Sequence, residues 1–297
     1  MDVSPLNYKL TFEPDLKKFT FAGLESISIN CKKSVNAITM NCAELKIKSC
    51  IVKSGKKIIK SYPKTNEKKE ELQIKLAEKI RGLCTVDLEF EGILNDRLLG
   101  FYRSRYEQNG KTKYLATTQF EAADARRAFP CWDEPEAKAT FEISIIADNQ
   151  FTAISNMPVK TKKKTGKTTL YNFQKTPLVS TYLIYLGVGE FEYLSGKAGK
   201  IQIRVVTTKG NTSKGKFSLE LGKKLLTSYE KYFGIKFPLP KLDLIAVPDF
   251  AAGAMENWGA ITFRETILLY DPKTSSTRTK QFIAEVISHE IAHMWFG

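Results

Sequence analysis

The chain of 297 residues contains 42% hydrophobic and 26% charged residues, a composition that excludes an intrinsically disordered protein and leaves room for one large or two ordinary domains. No run of eighteen apolar residues occurs, and residues 1–5 do not begin a signal peptide, so we expect a cytoplasmic protein with no membrane partner. The formal charge of +14 raises the question of a nucleic-acid partner, but the lysines lie on separate stretches without interleaved arginines and aromatic residues, so we expect none.

Residues 1–195 alternate apolar and polar side chains in short runs, which is the pattern of half-buried strands. The clearest runs lie at 8–12, 27–29, 38–42, 84–90 and 141–145. Gly, Asn and Lys turns separate the runs, and no helix-period segment of useful length interrupts them. The pattern predicts an antiparallel, sandwich-like β domain.

The cysteine spacing indicates free, buried thiols. No Cys-x-x-Cys pair occurs, and four of the five cysteines alternate with polar residues like ordinary core positions. The five are Cys31, Cys42, Cys50, Cys84 and Cys131.

The pattern changes near residue 195, where we place a domain boundary. A strand through 201–205 is followed by a predicted amphipathic helix that ends at Gly234. An apolar strand at 242–247, a Gly/Ala loop and a strand through Ile261 and Phe263 come next. Ser275 or Ser276 can cap a final helix. The residues predicted to form the packing faces of the two helices are Phe217, Leu221, Leu225, Tyr229 and Phe233 in the first, and Ile283, Ile287, Ile291 and Met294 in the second.

The final helix carries both histidines of the chain in the pattern His-Glu-x-x-His. A spacing of four puts His289 and His293 on one helical face, where a single zinc ion can bind both imidazoles. Glu290 can then take the proton from a water at the metal. The simpler alternative is a pair of histidines on a polar helix face.

Several motifs in the same order resemble the aminopeptidase N family of zinc exopeptidases, with the cytosolic tricorn-interacting aminopeptidases the nearest members. Gly-Ala-Met-Glu-Asn at 253–257 precedes His-Glu-x-x-His at 289–293. The segment from Thr118 to Pro135, the segment Gly-Phe-Tyr-Arg-Ser at 100–104 and Pro-Lys-Leu-Asp at 240–243 also fit. The resemblance implies a mainly β, saddle-like antiparallel β-sandwich domain over 1–195. It implies the N-terminal part of an α/β thermolysin-like catalytic domain over 196–297.

The resemblance also implies roles for individual residues. Glu290 is the general base, His289 and His293 bind zinc, and Glu121 and Glu256 together bind the α-ammonium of a peptide substrate in one cavity. Gln119 lies beside the pocket for the first side chain. The remaining substrate-binding positions are Gly253, Ala254, Met255 and Asn257. The simpler alternatives are a salt bridge from Glu121 to Arg126 or Arg127, and an ordinary loop carboxylate for Glu256.

The chain departs from the family at the third zinc ligand. In the family this ligand is a glutamate roughly 18 residues beyond the second histidine, near position ~312, and the oxyanion-stabilising tyrosine lies further on. We therefore expect an amino-terminal portion (a cloned fragment, a truncated reading frame or half of a split enzyme) with weak zinc binding and little turnover alone. Trp295 and Phe296 are expected to lack the partners that the C-terminal half would provide, so an exposed apolar patch and, through it, self-association or docking of that half would follow.

The predicted function of the parent enzyme is zinc-dependent hydrolysis of amino-terminal residues from peptides. The alternative from another class is a non-catalytic protein-interaction scaffold of the same fold, and a third reading is an epoxide hydrolase of the same superfamily. Relatives of these two kinds usually depart from His-Glu-x-x-His or from Gly-Ala-Met-Glu-Asn. Both motifs are intact here.

Overall fold

The structure, a computed structural model, describes residues 1–296 and divides into two compact units. The first unit comprises Met1–Arg103, Thr118–Asn149 and Val159–Ile184. The second comprises Ser104–Thr117, Gln150–Pro158 and Tyr185–Gly297. The boundary that we predicted at residue 195 stays a prediction.

Strands dominate the chain up to residue 208. They are β1 (Val3–Asp15), β2 (Thr20–Asn41), β3 (Lys46–Ser54), β4 (Lys57–Ile59), β5 (Ser61–Asn66), β6 (Glu71–Ile93), β7 (Gly100–Gln108), β8 (Lys111–Gln119), β9 (Thr140–Asp148), β10 (Thr152–Ser155), β11 (Val159–Thr165), β12 (Thr168–Phe173), β13 (Leu186–Gly189), β14 (Phe191–Ala198) and β15 (Ile201–Thr208). Within this described part the only helical turns are short 3-10 segments.

The first unit is built on a nine-stranded sheet in the order β11-β12-β9-β1-β2-β6-β3-β4, with β5 paired to β6. Its alternating residues are buried as predicted, and Tyr8, for example, stacks on Phe141 with ring centroids 4.8 Å apart. The predicted fold class, a β-sandwich followed by a partial α/β portion, is confirmed. One pairing differs from the antiparallel expectation, because β1 and β9 run parallel. Parallel pairing needs a long connection, and more than 120 residues separate these strands.

The five cysteines are free thiols, as predicted; four are buried and Cys50 is half-buried. Burial raises the pKa of Cys42 to about 12 and that of Cys31 to about 11.

The second unit contains a four-stranded sheet, β10-β13-β8-β7, and a five-stranded sheet, β14-β15-β16-β18-β17. The remaining elements are β16 (Lys241–Val247), β17 (Ala254–Met255), β18 (Ala260–Arg264), α1 (Lys216–Phe233), α2 (Glu265–Leu268) and α3 (Thr277–Ala292). β15, β16 and β18 are parallel neighbours, and all seven residues of β16 are buried. No helix among residues 1–296 has both the length and the apolar character needed to cross a membrane.

Helices α1 and α3 pack on the apolar core of this sheet. The buried face of α1 differs from the predicted one. The fully buried positions of α1 are Ser218, Leu219, Gly222 and Leu226, whereas the predicted residues Phe217, Leu221, Leu225 and Tyr229 are only partly buried beside them. The absence of a side chain at Gly222 lets the helix approach Leu244 of the sheet closely, and Ser218 is buried through a hydrogen bond to Leu268 O, so the buried face shifts by one residue.

Candidate metal centre

Helix α3 presents the two histidines because the opposite side of the helix is held in the core. Ser276 begins the helix by accepting a hydrogen bond from Thr279 N at 3.1 Å, and Ile283, Ile287 and Ile291 are completely buried. Both the cap and the packing face agree with the prediction. The periodicity of the helix therefore leaves the imidazoles on a separate, accessible face.

His289 and His293 meet through their Nε2 atoms, which are 3.0 Å apart. Two nitrogen ligands of one tetrahedral zinc ion would be about 3.3 Å apart, given Zn–N distances of ~2.0–2.1 Å. The imidazole pair therefore fits a zinc ion with little movement of either ring.

Two carboxylates lie beside this pair. The ligand atoms of Glu256, Glu290 and His293 all lie within 4.8 Å of one another, which makes these three residues a possible metal-binding group. Glu290 is only 6% exposed, whereas Glu256 and His293 are half-buried. The donor set of imidazole nitrogen and carboxylate oxygen is one that zinc accepts.

Glu256 reaches the metal centre from the hairpin of β17 and β18. Ala254 and Met255 pair with Phe263 and Thr262, and β17 forms the edge of the five-stranded sheet. Gly253 is exposed, so the backbone of this edge is accessible at the point where the strand begins. An edge strand in this position can accept the main chain of an extended ligand.

The hairpin closes through a turn from Asn257 to Ala260, which we call the anchor turn. Ala260 N donates to Asn257 O at 2.9 Å, and Gly259 has a φ of +73°, the left-handed value that the third residue of a type II turn requires. Asn257 is fully buried and donates to Thr262 Oγ1 at 3.2 Å. The anchor turn follows Glu256 directly and therefore fixes where its backbone emerges.

A buried ion cluster lies beneath the anchor turn. Asp243 accepts two hydrogen bonds from the Arg204 guanidinium and one from Lys241 Nζ at 2.7 Å. Burial lowers the pKa of Lys241 to about 8 although Asp243 acts in the opposite direction, and Arg204 lowers it further. Burial alone would raise the pKa of Asp243, but the two cations outweigh it and lower that pKa.

Sequence patterns alone assigned no role to this cluster. The available signal was Asp243, a charged residue within the apolar strand predicted at 242–247, with Lys241 directly before it. Charges in such a strand require partners.

The end of α3 is packed more fully than we expected. Trp295 stacks on Phe233 with centroids 5.8 Å apart and donates from Nε1 to Ile235 O at 2.9 Å. Tyr229 donates to Ser288 O at 3.1 Å and also contacts the Trp295 ring. The end of α1 therefore covers part of the Trp295 ring, which the expectation of an exposed apolar patch did not foresee. Phe296 is 79% exposed.

Two predicted site residues belong to the first unit. Gln119 ends β8 and is buried, and its Oε1 accepts no hydrogen bond from residues 1–296. Glu121 is exposed in the loop that follows. That Glu121 and Glu256 line one cavity stays a prediction.

The arginines that we considered as partners of Glu121 bind other carboxylates. Arg126 pairs with Asp133 and Glu70. Arg127 pairs with Asp124, Glu44 and Glu70.

Comparisons with known proteins match almost the whole chain. A family model described as the Peptidase M1 N-terminal domain matches residues 4–183, and one described as the Peptidase family M1 domain matches residues 217–297. Aminopeptidase M1 of Arabidopsis thaliana is 43% identical over 300 residues, which is 99% of this chain and 34% of the relative. Puromycin-sensitive aminopeptidase of Caenorhabditis elegans is 43% identical over 304 residues, 99% of this chain and 32% of the relative.

Aminopeptidase 2, mitochondrial, of Saccharomyces cerevisiae is 42% identical over 306 residues, which is 100% of this chain and 32% of the relative. The chain thus spans about a third of the length of the curated relatives that it matches. Because the two family models together account for both the β-sandwich and the unit that carries His289, Glu290 and His293, the chain belongs to peptidase family M1.

Proposed function

We propose that the full-length protein to which this chain belongs is a zinc-dependent aminopeptidase, which removes amino-terminal residues from peptides in peptide catabolism. The observation that carries the proposal is the grouping of Glu256, Glu290 and His293 within 4.8 Å, with His289 Nε2 3.0 Å from His293 Nε2. The names of the relatives point to the same reaction class. Cytoplasmic localisation and the lack of a nucleic-acid or membrane partner remain predictions.

Glu290 and Glu256 have separate roles in the proposed reaction. A zinc ion held by His289 and His293 would supply Lewis acidity toward the first peptide carbonyl. Glu290 would accept the proton of the attacking water on its carboxylate and pass it to the departing amine. Burial of Glu290 supports this role, since it keeps bulk water away from the carboxylate.

Specificity for the amino terminus would come from Glu256. A substrate strand paired with the free edge of β17 would bring its α-ammonium to this carboxylate, where a charge-assisted hydrogen bond can form. In our proposal Glu121 adds a second carboxylate to the ammonium, and Gln119 lies beside the pocket for the first side chain. The contacts to substrate main chain come from Gly253, Ala254, Met255 and Asn257.

Catalytic zinc sites ordinarily have three protein ligands. In our proposal Glu290 is the base and Glu256 binds the ammonium, so His289 and His293 are the two zinc ligands among the described residues. We propose that the third ligand is a carboxylate outside residues 1–296. The 297-residue chain should accordingly bind zinc below one equivalent and show no hydrolysis above background. A polypeptide that supplies the missing carboxylate and a tyrosine should restore both, if the two parts dock.

The test is hydrolysis of leucine p-nitroanilide and its N-acetylated analogue by the full-length protein, together with its zinc content. We expect one zinc per protein and activity only on the free amine. Glu290→Gln should retain zinc but lose at least a hundredfold in kcat, whereas Glu220→Gln on the exposed side of α1 should behave as wild type. Equal hydrolysis of both substrates, or full activity of Glu290→Gln, would contradict the proposal.

A further inference from the structure

Two consecutive carbonyls of the anchor turn accept hydrogen bonds from side chains remote in sequence. Asn156 Nδ2 donates to Trp258 O at 3.0 Å, and Lys241 Nζ donates to Gly259 O at 2.6 Å. Asn156 is itself oriented, because Tyr185 N donates to its Oδ1 at 2.9 Å. The anchor turn is therefore held from outside the hairpin as well as by its own hydrogen bonds.

Lys241 uses its whole hydrogen-bonding capacity in this arrangement. Its ammonium has three donors, and they go to Gly259 O, Asp243 Oδ2 at 2.7 Å and Ser155 O at 2.7 Å. Because the side chain is 2% exposed, an apolar residue would fill the same space without the cost of burying a charge. Gly259 O also accepts a hydrogen bond from Asp243 N at 3.0 Å, and what the ammonium adds is a second donor that links this carbonyl to the carbonyl of Ser155.

The position of Glu256 depends mainly on the anchor turn, because the chain before Glu256 offers little support. β17 contains only two residues, and Glu256 stands between this short strand and the turn. The far end of the loop is secured separately, by Arg264 N donating to Gly253 O at 2.9 Å. A rotation of the turn would therefore be transmitted to Glu256, and misplacing a binding group by about 1 Å can cost on the order of a hundredfold in rate.

We propose that Lys241 and Asn156 are positioning residues, which hold the anchor turn so that the Glu256 carboxylate meets the α-ammonium of the substrate. This inference rests on the aminopeptidase function proposed above. Neither residue contacts substrate or metal in this scheme. Both act through the carbonyls of Trp258 and Gly259.

The experiment measures how much a free amine adds to ligand affinity. Leucine hydroxamate and its desamino analogue, 4-methylpentanohydroxamic acid, are titrated calorimetrically into the zinc-loaded full-length protein. The variants are Lys241→Met and Asn156→Asp, of which the second keeps the acceptor for Tyr185 N and loses the donor to Trp258 O. The matched control is Arg204→Met, which removes another cation from Asp243 without touching the anchor turn.

We expect wild type to prefer the free amine, and Lys241→Met and Asn156→Asp to reduce that preference at least tenfold. Arg204→Met should change it less than twofold. Affinity for the desamino analogue should stay within threefold in all variants, which distinguishes loss of the ammonium contact from general damage. Glu256→Gln serves as the reference for complete loss.

Hydrogen exchange of the Ala260 amide gives an independent measurement that can be made on the 297-residue chain without zinc. This amide donates within the anchor turn, so its exchange should accelerate at least tenfold in Lys241→Met and Asn156→Asp but not in Arg204→Met. Equal acceleration of Ala260 exchange in all three variants would show that the ion cluster only supports the fold, and would overturn the inference. An amine preference that Glu256→Gln abolishes but both positioning variants retain would overturn it while leaving the aminopeptidase proposal intact. A wild-type protein without any amine preference would overturn both.

Discussion

Replacing Gly259 by alanine tests the anchor turn most directly. Gly259 has a φ of +73°, and a Cβ added there would lie 2.6 Å from Asn156 O and 3.1 Å from Leu239 Cδ1. The first of these atoms is backbone and cannot rotate away. The alanine must therefore displace either the turn or the segment that carries Asn156.

The expected destabilisation has two parts. A non-glycine residue in the left-handed region costs about 1–2 kcal/mol, and overpacking of a close contact adds about 1–3 kcal/mol. Gly234, which ends α1, provides the matched control, because its φ is +67° and no atom lies within 4 Å of its added Cβ. Gly234→Ala should therefore show only the conformational part, and the two variants should differ by about 1–3 kcal/mol.

Urea unfolding followed by tryptophan fluorescence measures this difference. Of the three tryptophans, Trp258 and Trp295 belong to the second unit and Trp258 is within the anchor turn itself. We expect the unfolding midpoint of Gly259→Ala to fall well below that of Gly234→Ala at an unchanged slope. Destabilisation of the two variants by equal amounts, within about 0.5 kcal/mol, would refute the close approach of Asn156 to the turn.

Three further outcomes follow from the same unit. Ser276→Ala should lower the free energy of unfolding by about 1 kcal/mol because it removes the cap of α3. Thermal unfolding measures this loss, with Thr274→Ala at a neighbouring exposed position as the control. Ile287→Ala should cost about 2–5 kcal/mol because the side chain is completely buried; a loss below 1 kcal/mol would contradict its place in the core. For Lys241, burial lowers the pKa in the folded protein to about 8, below its ordinary value of 10.5, so the folded protein binds fewer protons across that window and stability is gained as the pH rises through it. The free energy of unfolding of wild type relative to Lys241→Met should thus increase by up to about 3 kcal/mol between pH 8 and 10.5, and a constant difference would count against the buried ammonium.

Sequence patterns predicted the structure correctly where a strong hydrophobic repeat coincided with a clear signal for the start of a helix. In α3, isoleucines at 283, 287 and 291 follow the helical repeat behind a serine cap, and the predicted face is the buried one. The paired histidines follow from the same repeat. The α1 face was displaced by one residue because Ser218 and Gly222, which are buried, carry no hydrophobic signal.

Long-range pairing could not be predicted in the same way. The alternation in β1 is the same whether its neighbour is parallel or antiparallel, so nothing local indicates β9. The contacts of Asn156 and Lys241 with the anchor turn depend on residues 102 and 18 positions away along the chain. Only the presence of charges in a buried strand pointed toward such partners.

The interleaving of the two units along the chain limits how this polypeptide can be divided. Ser104–Thr117 and Gln150–Pro158 fold with the second unit, although each lies between segments of the first unit along the chain. A polypeptide that begins at residue 196 would lack the Ser155 carbonyl and the Asn156 amide, leaving Lys241 with a buried donor unpaired. The unit that carries the histidines consequently cannot be cut out as one continuous segment without losing these hydrogen bonds. A break in the chain at any point between Asn156 and Lys241 would separate Asn156 from the hairpin of Glu256, so the parts on either side of such a break are expected to fold together.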